Sequence, residues 1–394
     1  MQNNFDEKIV RRGTNSYKWD SKTNDDIIPL WVADMDFKTA QPIIDALTNR
    51  VQHGIFGYTK VPDAYYNAVV SWFGRRHNFT VEKEWMIYTI GVVPAISAAI
   101  LALTEPGDKV IVQEPVYNCF FSSIRNNQCE SFSNDLIYKD GKYTIDFEDL
   151  EKKTADPKAK VMLLCNPHNP AGRVWTKEEL VKVGEICFRN NVIVVSDEIH
   201  CDLVHPGHTH IPFASLGQQF LENSVTCVAP SKTFNLAGLQ IANILTYDPE
   251  IRTKIDKAIN INEVCDVSPF AVEGLIAAYT HEDSEKWLDE LRAYLWDNYL
   301  MVKDFFAENF PQFPILPLEA TYLVWIDTSV LNIKSEKLTE LMIEKGNVWL
   351  NEGTVYGEAG EGFMRLNIAC PRATLQEGLN RMKKAIDLIT AQNG

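Results

Sequence analysis

The sequence predicts an α/β protein with a large domain, built on a mostly parallel sheet covered by helices, and a smaller α+β domain. Short apolar runs typical of buried strands alternate with segments of helical periodicity through the middle of the chain. Such alternation is typical of parallel sheets with helices on both faces. The last third mixes strands and helices more freely. We predict a large domain over 45–283 and a small domain formed by 1–44 and 284–394.

The strands predicted for the large sheet are short and apolar, at 86–90, 109–113, 161–165, 192–196, 224–229 and 242–247. The predicted helices repeat apolar residues every three or four positions. They cover 43–51, 63–73, 95–103, 176–189, 251–261 and 268–279. Pro42 suits the first turn of a helix, and Thr176 with Glu179 forms a capping box.

The C-terminal third begins with a long amphipathic helix over about 284–310, which prolines at 311, 314 and 317 bring to an end. Strands are predicted at 321–326, 347–350 and 363–368, and helices at 335–345 and 374–390. This mixture indicates the smaller α+β domain.

Composition limits the function classes. The net charge of −15 over 394 residues argues against nucleic-acid binding, which needs clustered Lys and Arg. No apolar run reaches the roughly 18–20 residues that span a bilayer, and the N-terminus lacks a signal-peptide pattern. The eight cysteines are scattered, as reduced core residues of a cytoplasmic protein would be.

One cluster raises the question of a metal site. It comprises His200, Cys201, His205, His208 and His210, in a loop that contains proline and glycine. Its spacing matches no standard zinc pattern, so we predict no metal, although the residue types leave a structural ion open.

Three polar residues follow the ends of buried strands, and ligands of parallel sheets bind at that edge. They are Asn169, Asp197 and Lys232. A planar cationic heteroaromatic with a phosphate and an aldehyde would employ all three. Lys232 would form a Schiff base, Asp197 would keep a ring nitrogen protonated, and Asn169 would donate to a ring hydroxyl.

Two further segments suit the same ligand. The turn Gly91-Val92-Val93 lies between a strand and a helix, where exposed N–H groups bind anions. Tyr117 offers a face for stacking. Each feature has a plainer interpretation, since Lys232 could lie on an exposed loop, the turn could be an ordinary junction, and Tyr117 could be a core aromatic.

Seven motifs together carry a resemblance to a known family. They are Trp31-Val32-Ala33-Asp34-Met35-Asp36-Phe37, His53-Gly54-Ile55-Phe56-Gly57-Tyr58, Gly91-Val92-Val93-Pro94, Asn166-Pro167-His168-Asn169-Pro170-Ala171-Gly172, Ser196-Asp197-Glu198-Ile199-His200, Ala229-Pro230-Ser231-Lys232-Thr233-Phe234-Asn235 and Arg365-Leu366-Asn367. The chain resembles fold-type I pyridoxal-phosphate (PLP) enzymes of the aminotransferase superfamily over nearly its whole length. Within them it is most similar to the aminotransferase-like cystathionine β-lyases, or C–S β-lyases.

The resemblance implies a role for each matching position. Lys232 would carry PLP and move the proton, and Arg365 would bind the substrate carboxylate near the Ala33 backbone. The implied cofactor-binding residues are Val92, Val93, Tyr117, Asn169, Asp197, His200, Ser231 and Lys232, with Tyr58 supplied by the partner subunit of a homodimer. Tyr58 could instead be a core aromatic, and Arg365 could pair with a structural acid.

Departures from the transaminase pattern favour the lyase branch. His200 stands where aminotransferases commonly have tyrosine, Gln240 where they have a phosphate-binding arginine, and Ala229 where they often have serine. The implied reaction is α,β-elimination on a cystathionine- or cysteine-type amino acid, releasing thiol, pyruvate and ammonia. Two alternatives remain open, namely a class I/II aminotransferase with the same site and a regulatory PLP-binding protein.

Overall fold

The computed structural model describes residues 3–261 and 266–393. In this part of the chain the helices are α1 (Gln41–His53), α2 (Asp63–His77), α3 (Val92–Leu103), α4 (Cys119–Asn126), α5 (Phe147–Thr154), α6 (Lys177–Arg189), α7 (Gln218–Glu222), α8 (Pro249–Asn260), α9 (Pro269–Thr280), α10 (Glu282–Asn309), α11 (Ser335–Gly346) and α12 (Arg372–Asn393). The strands are β1 (Ile28–Pro29), β2 (Met86–Thr89), β3 (Lys109–Val112), β4 (Glu130–Ser133), β5 (Ile137–Lys139), β6 (Lys142–Thr144), β7 (Ala159–Cys165), β8 (Ile193–Asp197), β9 (Ser224–Val228), β10 (Ala242–Leu245), β11 (Leu323–Asp327), β12 (Val348–Trp349), β13 (Asn351–Glu352) and β14 (Phe363–Asn367).

The central sheet has seven strands in the order β2-β10-β9-β8-β7-β3-β4. The neighbours from β9 through β4 pair in parallel, and β10 runs antiparallel to both β2 and β9. The sequence therefore predicts six of the seven strands of this sheet and its mostly parallel character, and it misses the edge strand β4. The reversed direction of β10 is a topological detail that its apolar composition does not encode.

Helices cover both faces of the sheet, as the alternation of side chains along β7 shows. Val161 and Leu163 pack in one hydrophobic cluster with residues of α3 and α8. Met162 and Leu164 point the other way into a second cluster with residues of α6. Both faces are buried, which explains why the strand is an uninterrupted apolar run from Val161 to Cys165. The predicted α/β fold class is confirmed.

A smaller sheet of β11, β14 and β13 is antiparallel and belongs to the C-terminal third. Near the N-terminus, β1 pairs in parallel with β12, so the two ends of the chain meet. This pairing supports the grouping of 1–44 with 284–394. The exact domain boundaries remain a proposal. Helix α1 continues across the boundary predicted between residues 44 and 45, and α10 begins just before the one predicted between 283 and 284.

Local signals act as expected at the helix ends. The Thr176 hydroxyl accepts a hydrogen bond from the Glu179 N–H, and the Glu179 carboxylate accepts one from the Thr176 N–H, which completes the predicted capping box.

Among the helices within the described residues, none combines the length and the apolar character that crossing a bilayer requires.

Candidate active site

The carboxyl ends of adjacent parallel strands bring the predicted residues into one cavity. Tyr117 follows β3, Asn169 follows β7, Asp197 ends β8, and Lys232 follows β9. All four line a cavity of about 440 Å³. The sequence predicts three of these residues, Asn169, Asp197 and Lys232, at one edge of a sheet. The strand order makes the strands that carry all four consecutive neighbours.

Lys232 presents its amine to this cavity. Its Nζ donates a hydrogen bond of 2.6 Å to the carbonyl oxygen of Ala33. Burial and the nearby Arg365 guanidinium lower the pKa of Lys232 to about 8, against the opposing pull of acidic neighbours. A lysine with this pKa is a far better nucleophile and base near neutrality than an ordinary one.

Asp197 is a buried carboxylate with few partners. It accepts a hydrogen bond of 3.1 Å from the Ile199 N–H, and its side chain faces the cavity. Burial raises the pKa of Asp197 to about 7, while the Ile199 hydrogen bond and Lys232 act in the opposite direction. A cation bound opposite this carboxylate would hold it ionised.

Arg365 extends from β14 across the same cavity and is 3% exposed. Its Nη1 donates to Asn169 Oδ1 at 3.1 Å, and its Nη2 donates to the Trp31 carbonyl at 2.8 Å. The guanidinium lies over the ring of Tyr356 at 4.8 Å. The alternative considered from the sequence was that Arg365 pairs with a structural acid. Its two hydrogen-bond partners are instead a neutral amide and a backbone carbonyl. The positive charge therefore stays available to an anionic ligand.

The part of the cavity beside α3 suits a phosphate. The first N–H groups of α3, which begins at Val92, have no intrahelical partners, and no side chain at Gly91 caps them. Val92, Val93 and Ser231 all line the cavity. Backbone donors at a helix start and a hydroxyl form an anion site without an arginine.

His200 lines the cavity, and its Nδ1 is buried without a hydrogen-bond partner. Its ring packs edge-on against Tyr322, with 6.1 Å between the ring centroids. Burial lowers the pKa of His200 to about 3, and the positive charges of Lys232 and Arg365 act in the same direction. The imidazole is therefore neutral at physiological pH and can offer a hydrogen bond to a bound ligand through Nδ1.

Two positions singled out by sequence lie away from the cavity of their own chain. Tyr58 is 98% exposed, in the segment between α1 and α2. Gln240 has left-handed backbone geometry, with φ of 53°, and its side chain is not part of the cavity lining. The structure of one chain leaves the contribution of Tyr58 to a partner's site a prediction.

The histidine-rich loop spreads its residues over separate contacts. His205 Nε2 donates to the Thr321 carbonyl at 2.7 Å, and His210 Nε2 donates to Glu198 Oε2 at 2.9 Å. His200 faces the cavity and His208 is exposed. Cys201 lies instead near His77 and Asp202, which are already hydrogen-bonded to each other at 2.8 Å.

Sequence reasoning missed several residues that complete the site. Tyr322 donates to the Ala33 carbonyl at 3.1 Å, Asn351 Nδ2 donates to the Tyr356 hydroxyl at 2.8 Å, and Tyr356 lies against Arg365. Tyr322 directly precedes β11, Asn351 lies in β13, and Tyr356 lies in the turn after β13. A tyrosine within a predicted strand, such as Tyr322, carries no signal that distinguishes it from a core aromatic.

The residues present fit a phosphorylated aromatic aldehyde such as PLP. The underpartnered Asp197 carboxylate suits a protonated ring nitrogen, and the Lys232 amine suits an aldehyde. The unpartnered Nδ1 of His200 and the uncapped start of α3 supply further polar groups. Each group of the cofactor thus has a chemically matched protein group in one cavity.

Comparison with known proteins defines the class. The aminotransferase class I and II profile matches residues 25–382. The chain belongs to this family, as its motifs predicted. Solved structures agree: cystalysin from Treponema denticola, which contains PLP, superposes with a TM-score of 0.95 at 37% identity, covering 99% of this chain and all of that one.

Within the family, the chain belongs to the cystathionine β-lyase branch. It is 46% identical to cystathionine β-lyase PatB of Bacillus subtilis over 388 residues, which cover 97% of this chain and 100% of PatB. The PLP-bound C–S lyase of Staphylococcus hominis superposes with a TM-score of 0.90 at 34% identity, covering 97% of this chain and 98% of that one. The family resemblance predicted from the sequence is confirmed.

The lowered pKa of Lys232 leads to a labelling prediction. With bound small molecules removed, an acylating reagent at pH 7 should modify Lys232 far faster than an exposed lysine, because its neutral fraction is roughly 300-fold larger than that of an ordinary lysine. Arg365→Gln should slow the labelling, since Arg365 lowers the pKa of Lys232. Peptide mass spectrometry measures both rates, with exposed Lys38 as the internal reference. Equal rates at Lys232 and Lys38 would contradict the prediction.

Proposed function

We propose that the protein is a PLP-dependent carbon–sulfur β-lyase that cleaves cystathionine- and cysteine-type amino acids by α,β-elimination. The observation that carries this proposal is the convergence of the Lys232 amine, the Asp197 carboxylate and the Arg365 guanidinium on one cavity in a chain of the cystathionine β-lyase branch. The relatives confirm the predicted enzyme class and cofactor. The roles of individual residues are part of the proposal.

Arg365 provides the substrate anchor. Its guanidinium is buried, carries a full charge and is held by the Asn169 side chain and the Trp31 carbonyl. Neither partner neutralises it, so a substrate α-carboxylate can form a charge-assisted pair with it. This pair fixes the substrate's Cα relative to Lys232.

Lys232 holds and moves the proton. When bound, PLP supplies an electron sink that stabilises negative charge at the substrate's Cα. The Lys232 amine accepts the Cα proton, and the Cα electron pair forms the Cα–Cβ double bond as the Cβ–S bond breaks. Sulfur leaves with its electron pair and takes up a proton to become the thiol. The aminoacrylate product hydrolyses to pyruvate and ammonia.

The remaining residues keep the ring in place. Asp197 would pair with the ring nitrogen, Asn169 Nδ2 would donate to the ring hydroxyl, and Tyr117 would offer its face to the ring. The N–H groups of Val92 and Val93 and the Ser231 hydroxyl would bind the phosphate. His200 offers its unpartnered Nδ1 to the same ligand.

The direct test is an assay of purified holoenzyme with cystathionine and no keto acid. Pyruvate and free thiol should appear in equal amounts, because elimination needs no amino acceptor. Lys232→Ala should abolish both products while the protein stays folded by circular dichroism. An aminotransferase would instead form no pyruvate and would transfer the amino group only when a keto acid is added. A regulatory PLP-binding protein would do neither.

Substitution of Arg365 tests the carboxylate anchor. Arg365→Gln should lower kcat/KM by at least about 30-fold, since loss of one partner of a buried charge pair costs about 2 kcal/mol or more. Most of the loss should appear as a raised KM, measured by pyruvate release. Arg365→Lys keeps the positive charge but cannot form the bidentate pair. Its kcat/KM should lie between those of wild type and Arg365→Gln. An unchanged KM in Arg365→Gln would exclude this anchor.

A homodimer with shared sites is also part of the proposal. Four apolar side chains cluster in or beside the segment between α1 and α2 and are more than half exposed, namely Val51, Ile55, Phe56 and Tyr58. Such a patch is typical of a protein–protein interface. Tyr58 from one subunit would then reach the phosphate of the other.

Complementation between two inactive variants tests the shared site. In a mixed dimer of Tyr58→Ala and Lys232→Ala chains, one site lacks both residues and the other has both. Co-expression of the two should therefore restore about a quarter of wild-type activity by random pairing. Separately purified variants that are assayed without exchange provide the baseline. No gain in the co-expressed sample would show that each site uses its own Tyr58 or none.

A cytoplasmic location completes the proposal. The seven cysteines within the described residues are free, and six of them are buried. This pattern supports a reducing compartment, where thiols remain unpaired. Cys265 lies outside the described residues.

A further inference from the structure

The segment Trp31–Phe37 contains a sequence motif whose acidic residues have no role in the proposed reaction. It forms no strand or helix, yet it lies between Lys232 and Arg365. The Trp31 carbonyl accepts from Arg365, and two residues later the Ala33 carbonyl accepts from Lys232. The backbone of this segment therefore contacts both residues that handle the substrate.

Asparagine side chains hold the same backbone from both domains. Asn367, which follows Arg365 on β14, donates to the Val32 and Asp34 carbonyls at 2.6 and 2.7 Å. Asn235, which follows Lys232, donates to the Met35 and Phe37 carbonyls at 3.0 and 3.1 Å. These bonds replace the ladder that a strand would have supplied.

A partly buried ion cluster of Arg11, Lys18, Asp34 and Asp36 fixes the side chains of the segment. Lys18 is 1% exposed and its Nζ lies 2.9 Å from Asp36 Oδ2. Arg11 donates to Asp36 Oδ1 at 2.6 Å and to Asp34 Oδ2 at 2.7 Å. Two cations thus balance two anions, and the Trp19 Nε1 donates to Asp36 as well, at 2.8 Å.

We propose that Asp36 is a positioning residue that, through this ion cluster, holds the Ala33 carbonyl against the Lys232 amine during turnover. The proposal rests on the catalytic role of Lys232 given above. A carbonyl oxygen only accepts hydrogen bonds. An amine that donates N–H to it therefore keeps its lone pair free for the proton on Cα. Tyr322 donates to the same oxygen and limits its movement further.

The stabilising value of the cluster does not explain its composition. Buried ion pairs are weak contributors to stability compared with apolar residues of the same volume, but removal of one partner leaves an uncompensated charge. Asp36→Asn would leave Arg11 and Lys18 facing Asp34 alone. Asp34 would then be drawn toward them, and the backbone at Ala33, its direct neighbour, would shift with it.

The test compares Asp36→Asn holoenzyme with wild type. We expect kcat to fall about ten- to a hundred-fold, as displacement of a catalytic group by an ångström typically causes, with KM changing much less. The visible absorption of the bound cofactor should also titrate at a lower pH. The titratable and charged groups that face Lys232 are Asp34, Asp197, Arg365, Cys119 and His200, and Asp34 is the one expected to move away.

Two further variants make the result decisive. Arg11→Gln removes a less buried member of the cluster, with its side chain 22% exposed, and should lower kcat less than Asp36→Asn does. Loss of this cation releases Asp34 instead of drawing it away from Lys232, so the cofactor absorption should titrate at a higher pH. Asp156→Asn breaks the partly buried Lys109–Asp156 pair at the start of β3, away from the cavity, and should leave kcat and the absorption titration unchanged.

The outcomes separate the positioning role from the proposed function. If Asp36→Asn and Arg11→Gln lose thermal stability but keep wild-type kcat and absorption titration, the cluster is structural only and the proposal is wrong. If Asp36→Asn does not fold, Arg11→Gln decides by the same criteria. If wild type releases no pyruvate from cystathionine, the proposed function fails, while the absorption titration still decides the role of Asp36.

Discussion

The site depends on one electrostatic constraint, the removal of water from three ionisable groups that share a cavity. Burial lowers the pKa of the Lys232 amine and raises that of the Asp197 carboxylate, so each group is brought closer to its neutral form. Arg365 adds a fixed positive charge that acts on Lys232 in the same direction as burial. At such short range and low dielectric, small displacements change these interactions strongly. The surrounding backbone must therefore be rigid.

The parallel sheet supplies that rigidity. Asp197 is aligned with Cys165 on one neighbouring strand and with Cys227 on the other, so buried thiols flank the carboxylate. This register explains both its position and its desolvation. A slip of one residue would turn the side chain to the opposite face of the sheet. The apolar runs that identify the strands are thus also the cause of the shifted pKa.

Much of the site could be predicted from sequence because its main residues follow strand ends, where the topology determines their location. Lys232, Asp197 and Asn169 are of this kind. Tyr322 and Tyr356 could not be predicted, since each reaches the site through tertiary contacts from the C-terminal third of the chain. The Trp31–Phe37 motif could be recognised as a family feature. Its contacts with Asn235 and Asn367, at about 200 and 330 residues' separation, have no periodicity that a sequence could reveal.

In the proposed dimer, the phosphate-binding part of the cavity would link cofactor binding to assembly. Gln240 stands where aminotransferases commonly have arginine, and its side chain is outside the cavity lining. The lining residues near α3 supply backbone N–H groups and the Ser231 hydroxyl, which together neutralise less charge than a guanidinium does. A phosphate carries nearly two negative charges at neutral pH. A hydroxyl from Tyr58 of a second chain would add a donor where this chain has lost a cation, so the affinity for the cofactor and the stability of a dimer would depend on each other.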